Sequence, residues 1–354
     1  MILLGIETSC DETGAAVVEK KNGGLQILSN EVASSLSLHA QTGGIIPEAA
    51  AREQLRYILP IIEKAIEKTS WEKIDGIAVT YGPGLIGSLL VGVETAKTLS
   101  YVLKKPIIPV NHLYGHIYAN WLSEESRIMN KELRNKKLDA KRLTLAAEIE
   151  FPALALVVSG GHTDLVMMQS HETLEVIGGT RDDAAGEAFD KIGRLLGMSY
   201  PAGAEIANRG EKGDPKAFQL PRPMIGSDDF DFSFSGLKTA ALTATKNAKE
   251  WDEKTLSDFC ASVQWSIVDV LVKKTIKAAK FYNVKSILLG GGVAANQMLR
   301  EQMQLNARRY ELDATTFVPR KELCTDNAAM IAAAGFFTKP ASWQEVTANP
   351  ELYY

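Results

Sequence analysis

Cysteine is scarce in this 354-residue chain: Cys10, Cys260 and Cys324 are odd in number, widely spaced and form no CxxC pair. That excludes a disulfide framework and fits a reducing, cytoplasmic setting. Charge of one sign is also lacking. A formal net charge of −4 provides no global field for nucleic acid, so any such contact has to come from a local patch. Long apolar runs are missing as well. No stretch approaches the ~18 apolar residues needed to span a bilayer, so no membrane association is expected. The N-terminal run MILLGI ends without a basic leader and reads as a buried strand, not a signal peptide. What remains is ordinary globular composition, 45% apolar and 23% charged, at a length that predicts two domains.

Histidine is rare too, with five in all, yet two stand four residues apart in NHLYGHIYAN. On a helix, His112 and His116 would share one face, roughly 5–6 Å apart at Cβ, and could hold one metal ion. The plainer alternative is coincidence, with one histidine buried and the other exposed. A zinc peptidase of the HExxH type needs glutamate directly after the first histidine. Leu113 occupies that place, so peptidase chemistry lacks its base. In CTDNAAMIAAAG (324–335) a helix is expected to start with Thr325 as its cap. Asp326 is then either an acid complementing the helix dipole or a third ligand. Two imidazoles and a carboxylate suit Zn²⁺ or Fe²⁺ and leave positions open for substrate. Cys324 is a rival ligand that would favour zinc.

Two patterns occur twice. ILLGI, polar ETSCDETG and AAVVE read as strand, turn, strand, and LALVV, SGGHTD and LVMM repeat that grammar at 154–168. DGIAVTYGPGLIGSLLVGVETAK (75–97) and KSILLGGGVAANQMLREQM (285–303) each run from a strand through a glycine turn into a helix. Such turns allow close backbone approach and lead into helix N-termini that bind anions. The duplicated order predicts an α/β fold of two related lobes around a central cleft that holds a nucleotide or other phosphate-bearing ligand. Lobe I is placed at 1–110, with a C-terminal helix at about 326–354 packing back onto it, and lobe II at 111–325. A basic insertion at about 121–150 has seven Lys/Arg from Arg127 to Arg142 against Glu132 and Asp139. It is either a solvated helical face or a local nucleic-acid patch.

DDAAGEAFDK (182–191) decorates one helix with acids. Those at its start complement the dipole, whereas Asp190 lies deeper and could bind a hydroxyl group. PAGAEI (201–206) offers Gly203 for close approach, and Ser235 in DFDFSFSGLKTA reads as an N-cap.

Taken together, GIETSCDETGAAVV, HAQTGGIIPEAAARE, GPGLIGSLLVG, NHLYGHI, VVSGGHTDL, DDAAGEAFDK, DFSFSGLKTA, GGGVAANQMLR and CTDNAAMIA occur in an order that resembles one family over nearly the whole chain. It is that of the tRNA N6-adenosine threonylcarbamoyltransferase catalytic subunits, formerly called O-sialoglycoprotein endopeptidases. Their fold is that of the actin-like ATPases, a ribonuclease H-like design, and the wording of the motifs resembles the bacterial and organellar branch. The resemblance implies transfer of the threonylcarbamoyl group from threonylcarbamoyl-AMP to N6 of the adenine 3′ of the anticodon, with release of AMP. The tRNAs concerned read codons that begin with A.

It further implies that His112, His116 and Asp326 hold one divalent metal per subunit, Fe²⁺ in expectation and Zn²⁺ in the alternative. Val157, Val158, Ser159, Gly160 and Gly161 would line the nucleotide-bearing substrate, and Asp190, Gly203 and Asn296 would contact its adenosine part. Asp11 is the candidate general base. Implied partners are tRNA, a paralogous actin-fold subunit, a small P-loop ATPase and a separate threonylcarbamoyl-AMP synthase. The chain departs from the family pattern at Tyr114, Gln54, Ala202 and Ala204. Two other readings are a non-catalytic paralogous scaffold, which has no need of a histidine pair, and an ATPase or kinase relative, which would turn over ATP without tRNA.

Overall fold

Two five-stranded sheets of the same topology organise the protein, whose computed structural model describes residues 1–21, 24–35, 44–122, 148–247 and 251–354. The first contains β1 (Ile2–Glu7), β2 (Glu12–Lys21), β3 (Gly24–Ser34), β4 (Gly76–Gly82) and β5 (Ile107–Asn111), in the order β3-β2-β1-β4-β5. The second contains β6 (Ala153–Val158), β7 (Thr163–Met168), β8 (Leu174–Gly179), β9 (Ser286–Gly290) and β10 (Thr315–Phe317), in the order β10-β9-β6-β7-β8. In both, the first three strands form an antiparallel meander and the last two join parallel to its first strand. The duplication in the sequence is thus a duplication of sheet topology. β1 and β6 are central, and their residues are buried almost throughout, as expected of strands covered on both faces.

The helices are α1 (Pro47–Ile66), α2 (Ile86–Leu103), α3 (His112–Tyr118), α4 (Ala185–Leu195), α5 (Gly203–Gly210), α6 (Ser235–Asn247), α7 (Glu253–Phe281), α8 (Gln297–Arg309) and α9 (Ala328–Gly335). The chain forms two compact units, Met1–Glu148 with Pro319–Tyr354, and Ile149–Val318. This corrects the lobe boundary expected at 111. α3 follows directly from β5 of the first sheet, and its Gly115 packs on Met330 and Ile331 of α9, so the segment after Asn111 belongs with the first unit. Residues 127–142, the charged part of the basic stretch, lie outside the described residues.

α9 is wholly buried, and glycines make its seat. A Cβ added at Gly5 would meet the Ala328 carbonyl oxygen at 2.2 Å and Ala332 N at 2.9 Å, and one at Gly14 would meet Ala328 N at 3.0 Å. The helix ends at Gly335, so the expected helix through 354 is corrected: residues 336–354 are not helical. They lie along β4 and β5 instead. The Ala341 N–H donates to the Ile107 carbonyl (3.0 Å) and the Asn349 N–H to that of Tyr81 (2.7 Å). Proline at 340 and 350 and the polar spacing between them suit an extended strap, not a helix.

One further reading needs correcting. α2, with 18 residues at mean hydropathy 1.2, is long and apolar enough to cross a membrane by length and composition. In the fold its Leu89, Gly92, Val93 and Ala96 are buried, whereas Ile86, Leu90, Tyr101 and Val102 are exposed.

Candidate metal centre and glycine turn

His112 is the first residue of α3, and Asn111 caps that helix by accepting the Leu113 N–H at 2.8 Å. The i, i+4 spacing brings the two imidazoles to 4.7 Å between centroids, edge to face. Gly115 stands between them because a Cβ there would meet Ile331 Cδ1 at 2.7 Å. α3 can therefore lie close to α9, and Asp326 arrives just before that helix. The Nε2 atoms of His112 and His116 are 3.5 and 3.3 Å from the same Asp326 oxygen, Oδ1. One donor atom from each of the three residues lies within 4.8 Å of the others.

Three observations test whether this set suits a metal. His116 is 1% exposed, and among the described residues neither ring nitrogen makes a hydrogen bond, the Asp326 contact at 3.3 Å being close without hydrogen-bond geometry. A buried polar group in that state is costly, and a cation at Nε2 removes part of the cost. Asp326 lies one residue ahead of the N-cap of α9, outside its first turn, since Asn327, not Thr325, is the cap and accepts the Met330 N–H at 3.1 Å. Burial opposes a charged His112, but the Glu7 and Asp326 carboxylates outweigh it and hold its pKa up to about 9. Such a field attracts a cation. The donor set fits a divalent metal.

Cys324 is not part of this set. Its buried thiol faces the carbonyls of Pro319 and Arg320. Cys10 is no nucleophile, because burial and then the nearby Asp326 and Asp11 carboxylates push its pKa well above the usual thiol range.

Asp11 lies in the partly buried β1–β2 turn, and its carbonyl accepts the Ser35 N–H (3.1 Å) and hydroxyl (2.7 Å). Gln54 holds the same turn from α1, with Nε2 facing the carbonyls of Cys10 (2.9 Å), Glu12 (3.2 Å) and Thr8 (3.4 Å). Tyr114 sits 6.0 Å, ring to ring, from Tyr354.

Glu7 was not singled out in the sequence. It is fully buried at the end of β1, with Oε2 3.1 Å from His112 Nδ1. Its oxygens also accept the Ser9 N–H and the Thr80 hydroxyl, both at 2.5 Å. The signal available was a lone acid closing an otherwise apolar run, which has to find a partner once buried.

In the second unit, Val157 and Val158 are buried at the end of β6 and offer backbone rather than side chain. Ser159 shapes the following turn: its Oγ accepts the N–H groups of Gly161 (3.3 Å) and His162 (3.1 Å), and its carbonyl accepts that of Gly186 on α4 (3.1 Å). A Cβ at Gly160 or Gly161 would meet nothing within 4 Å, so this turn is open to a ligand. Gly82, Gly84 and Gly291 serve a different purpose. Cβ atoms at these positions would meet the carbonyl oxygens of Asn349, Ser9 and Val158 at 2.0, 2.4 and 2.3 Å. There the close approach is to the protein's own backbone.

Asp190 is occupied as well. Oδ1 accepts the Ala202 N–H at 2.7 Å, and the Gly203 N–H also bonds the carboxyl. Burial raises its pKa despite those two amides. Ala202 packs on Gly193, where a Cβ would come within 2.1 Å of its own. Asn296 caps α8 by accepting the Leu299 N–H (3.0 Å) and donates to Gln264 Oε1 (2.8 Å).

The acids that open 182–191 are structural. Asp183 pairs with Lys191 (2.6 Å) and Lys238 (2.9 Å). Asp182 accepts the Phe234 N–H (2.8 Å) and the Ser233 hydroxyl (2.5 Å), and bonds Ser235 too. It serves the start of α6 in the place of the cap expected of Ser235.

The family model described as tRNA N6-adenosine threonylcarbamoyltransferase matches residues 26–129 and 138–333. Proteins of that description from Syntrophomonas wolfei and Geobacillus kaustophilus are 47% and 48% identical, each over 94% of this chain and 91% and 90% of their own lengths. Among solved structures, HypF from T. kodakarensis superposes over 95% of this chain and 47% of its own, with a TM-score of 0.58 at 14% identity, a likeness of fold alone. The chain belongs to the tRNA N6-adenosine threonylcarbamoyltransferase family, transferases that modify tRNA, built on the actin-like ATPase fold.

Proposed function

We propose that the chain transfers the threonylcarbamoyl group from threonylcarbamoyl-AMP to N6 of the adenine 3′ of the anticodon, in tRNAs reading codons that begin with A. The observation that carries this reading is the convergence of His112, His116 and Asp326 on one point in a member of this family. These residues hold the metal, with Fe²⁺ expected and Zn²⁺ as the alternative for an N,N,O donor set. When bound, the metal supplies Lewis acidity toward the carbamoyl oxygen.

The adenine N6 lone pair attacks the carbamoyl carbon. The bond from that carbon to the phosphate oxygen breaks, its electron pair leaves with AMP, and N6 loses a proton, which Asp11 accepts. A mixed carbamoyl-phosphate anhydride is already activated, so positioning and charge stabilisation suffice and no side-chain nucleophile is required. The 159–161 turn holds the nucleotide phosphate on its backbone, supported by the open space at Gly160 and Gly161. The ends of β6 (Val157, Val158), together with Asp190, Gly203 and Asn296, form the wall for its adenosine part. For Asp190 and Asn296 the observed hydrogen bonds support shaping of the backbone rather than direct contact alone. The partners in this reading are the paralogous actin-fold subunit, the small P-loop ATPase and the synthase that supplies threonylcarbamoyl-AMP.

The test is to incubate the protein with threonylcarbamoyl-AMP, unmodified tRNA and those partner proteins, and to measure modified adenosine by mass spectrometry. Wild type should form it and His112→Ala should not. Equal product from His112→Ala would remove the metal assignment, and no product from either would favour the scaffold reading.

A further inference from the structure

We infer that Glu7 is a positioning residue, whose carboxylate keeps the hydrogen on His112 Nδ1 and so makes Nε2, on the Asp326 side, the nitrogen that takes the metal. This rests on the metal reading above, and it assigns work to a residue that lies in GIETSCDETGAAVV but was given no role there.

The argument begins with donors and acceptors. Two groups face His112 Nδ1, each at 3.1 Å: Ser9 Oγ and Glu7 Oε2. The hydroxyl can donate or accept, so it selects neither tautomer. A carboxylate only accepts, so the nitrogen facing it has to carry the hydrogen. Nε2, on the opposite side of the ring, is 3.5 Å from Asp326 Oδ1; without a metal it holds a second hydrogen toward that carboxylate, and this is the hydrogen a metal displaces while Glu7 retains the one on Nδ1. A metal-binding imidazole requires that state, and a carboxylate behind it also makes the ring a stronger donor.

Glu7 is itself held rigidly. It is 0% exposed and lies on the central strand β1. Thr80, which donates to Oε2, comes from β4, the parallel neighbour of β1. The Ser9 N–H fixes Oε1. Two strands and the turn between β1 and β2 thus set the direction of one imidazole. His116 has no such support among the described residues, where its Nδ1 makes no hydrogen bond. The two ligands are therefore unequal: His112 is oriented before the metal arrives, and His116 is oriented by its packing.

The test uses the full chain, purified anaerobically, stripped of metal and titrated with Zn²⁺ against a competing chelator. Glu7→Gln keeps the shape but presents an amide that can donate to Nδ1, and its zinc affinity should fall about 10–100-fold. Its metal-free melting temperature reports separately on folding. A readout independent of any variant's folding is the long-range ¹H–¹⁵N spectrum of the zinc-loaded wild type, with His112 assigned by its loss in His112→Ala. Hydrogen on Nδ1 and metal on Nε2 support the inference. Metal on Nδ1, or unchanged affinity in folded Glu7→Gln, overturns it while the metal reading stands. A wild type that binds no zinc overturns both.

Discussion

Glu12 illustrates how burial near the metal set affects a single residue. Burial raises its pKa from 4.5 to about 7, and the Ser34 hydroxyl at 2.8 Å offsets only part of that rise. The folded state therefore holds this proton more tightly than the unfolded chain. Its contribution to stability is fully present below about 4.5 and is lost as pH rises through about 7. Glu12→Gln, which cannot lose a proton, should gain thermal stability relative to wild type between pH 5 and pH 8. Melting curves of both proteins across that range check this, and a constant difference would refute it. Asp326→Asn addresses the metal set itself: losing the carboxylate should weaken Zn²⁺ binding well beyond the effect of Glu7→Gln in the same chelator titration. The candidate ligands could be picked out in the sequence because two histidines four residues apart and an acid at a helix start are donor types that stand out. Glu7 was hidden because its partners Thr80 and His112 lie 73 and 105 positions away, a contact made only by the fold. Asp190 suggested a hydroxyl partner by its depth on the helix and Asn296 a ligand by the resemblance alone; what the fold adds is their bonds to the protein's own amides.

At the scale of elements, the metal centre depends on how closely α9 and α3 approach their neighbours. Gly5→Ala would place a methyl group 2.2 Å from the Ala328 carbonyl, and backbone cannot yield as a side-chain tip can. It should destabilise the protein by about 1–3 kcal/mol or more and weaken metal binding by displacing Asp326, measurable by denaturant unfolding and zinc titration. Gly115→Ala meets the flexible end of Ile331 at 2.7 Å, so its effect should be smaller. Asn327→Ala removes the cap of α9 and should cost about 0.5–2 kcal/mol. Strands and helix positions were legible from periodicity and glycine punctuation. The cap was not, because Thr325, Asp326 and Asn327 are all capping residue types, and only the backbone turn distinguishes them. The strap at 336–354 was mistaken for helix because its apolar residues pack on β4 and β5 without a helical period.

For the whole molecule, repetition was the readable feature. Two hairpins and two strand-glycine-helix units in matching order correspond to two sheets of one topology. The boundary was harder to place, because β5 and α3 complete the first sheet's unit after the repeated pattern has ended. The glycine turns also looked alike in sequence, yet Gly160, Gly161 and Gly292 face open space whereas Gly82, Gly84 and Gly291 meet backbone, since occupation by neighbouring backbone is a tertiary property. The central claim is that this transferase works through the metal held by His112, His116 and Asp326. The most direct measurement is single-turnover transfer from preformed threonylcarbamoyl-AMP to unmodified tRNA, with the partner proteins present. It is made on protein stripped of metal and then on the same protein reloaded anaerobically with Fe²⁺ or Zn²⁺. Loss of transfer on stripping and its return on reloading are predicted; full transfer by the stripped protein would contradict the account.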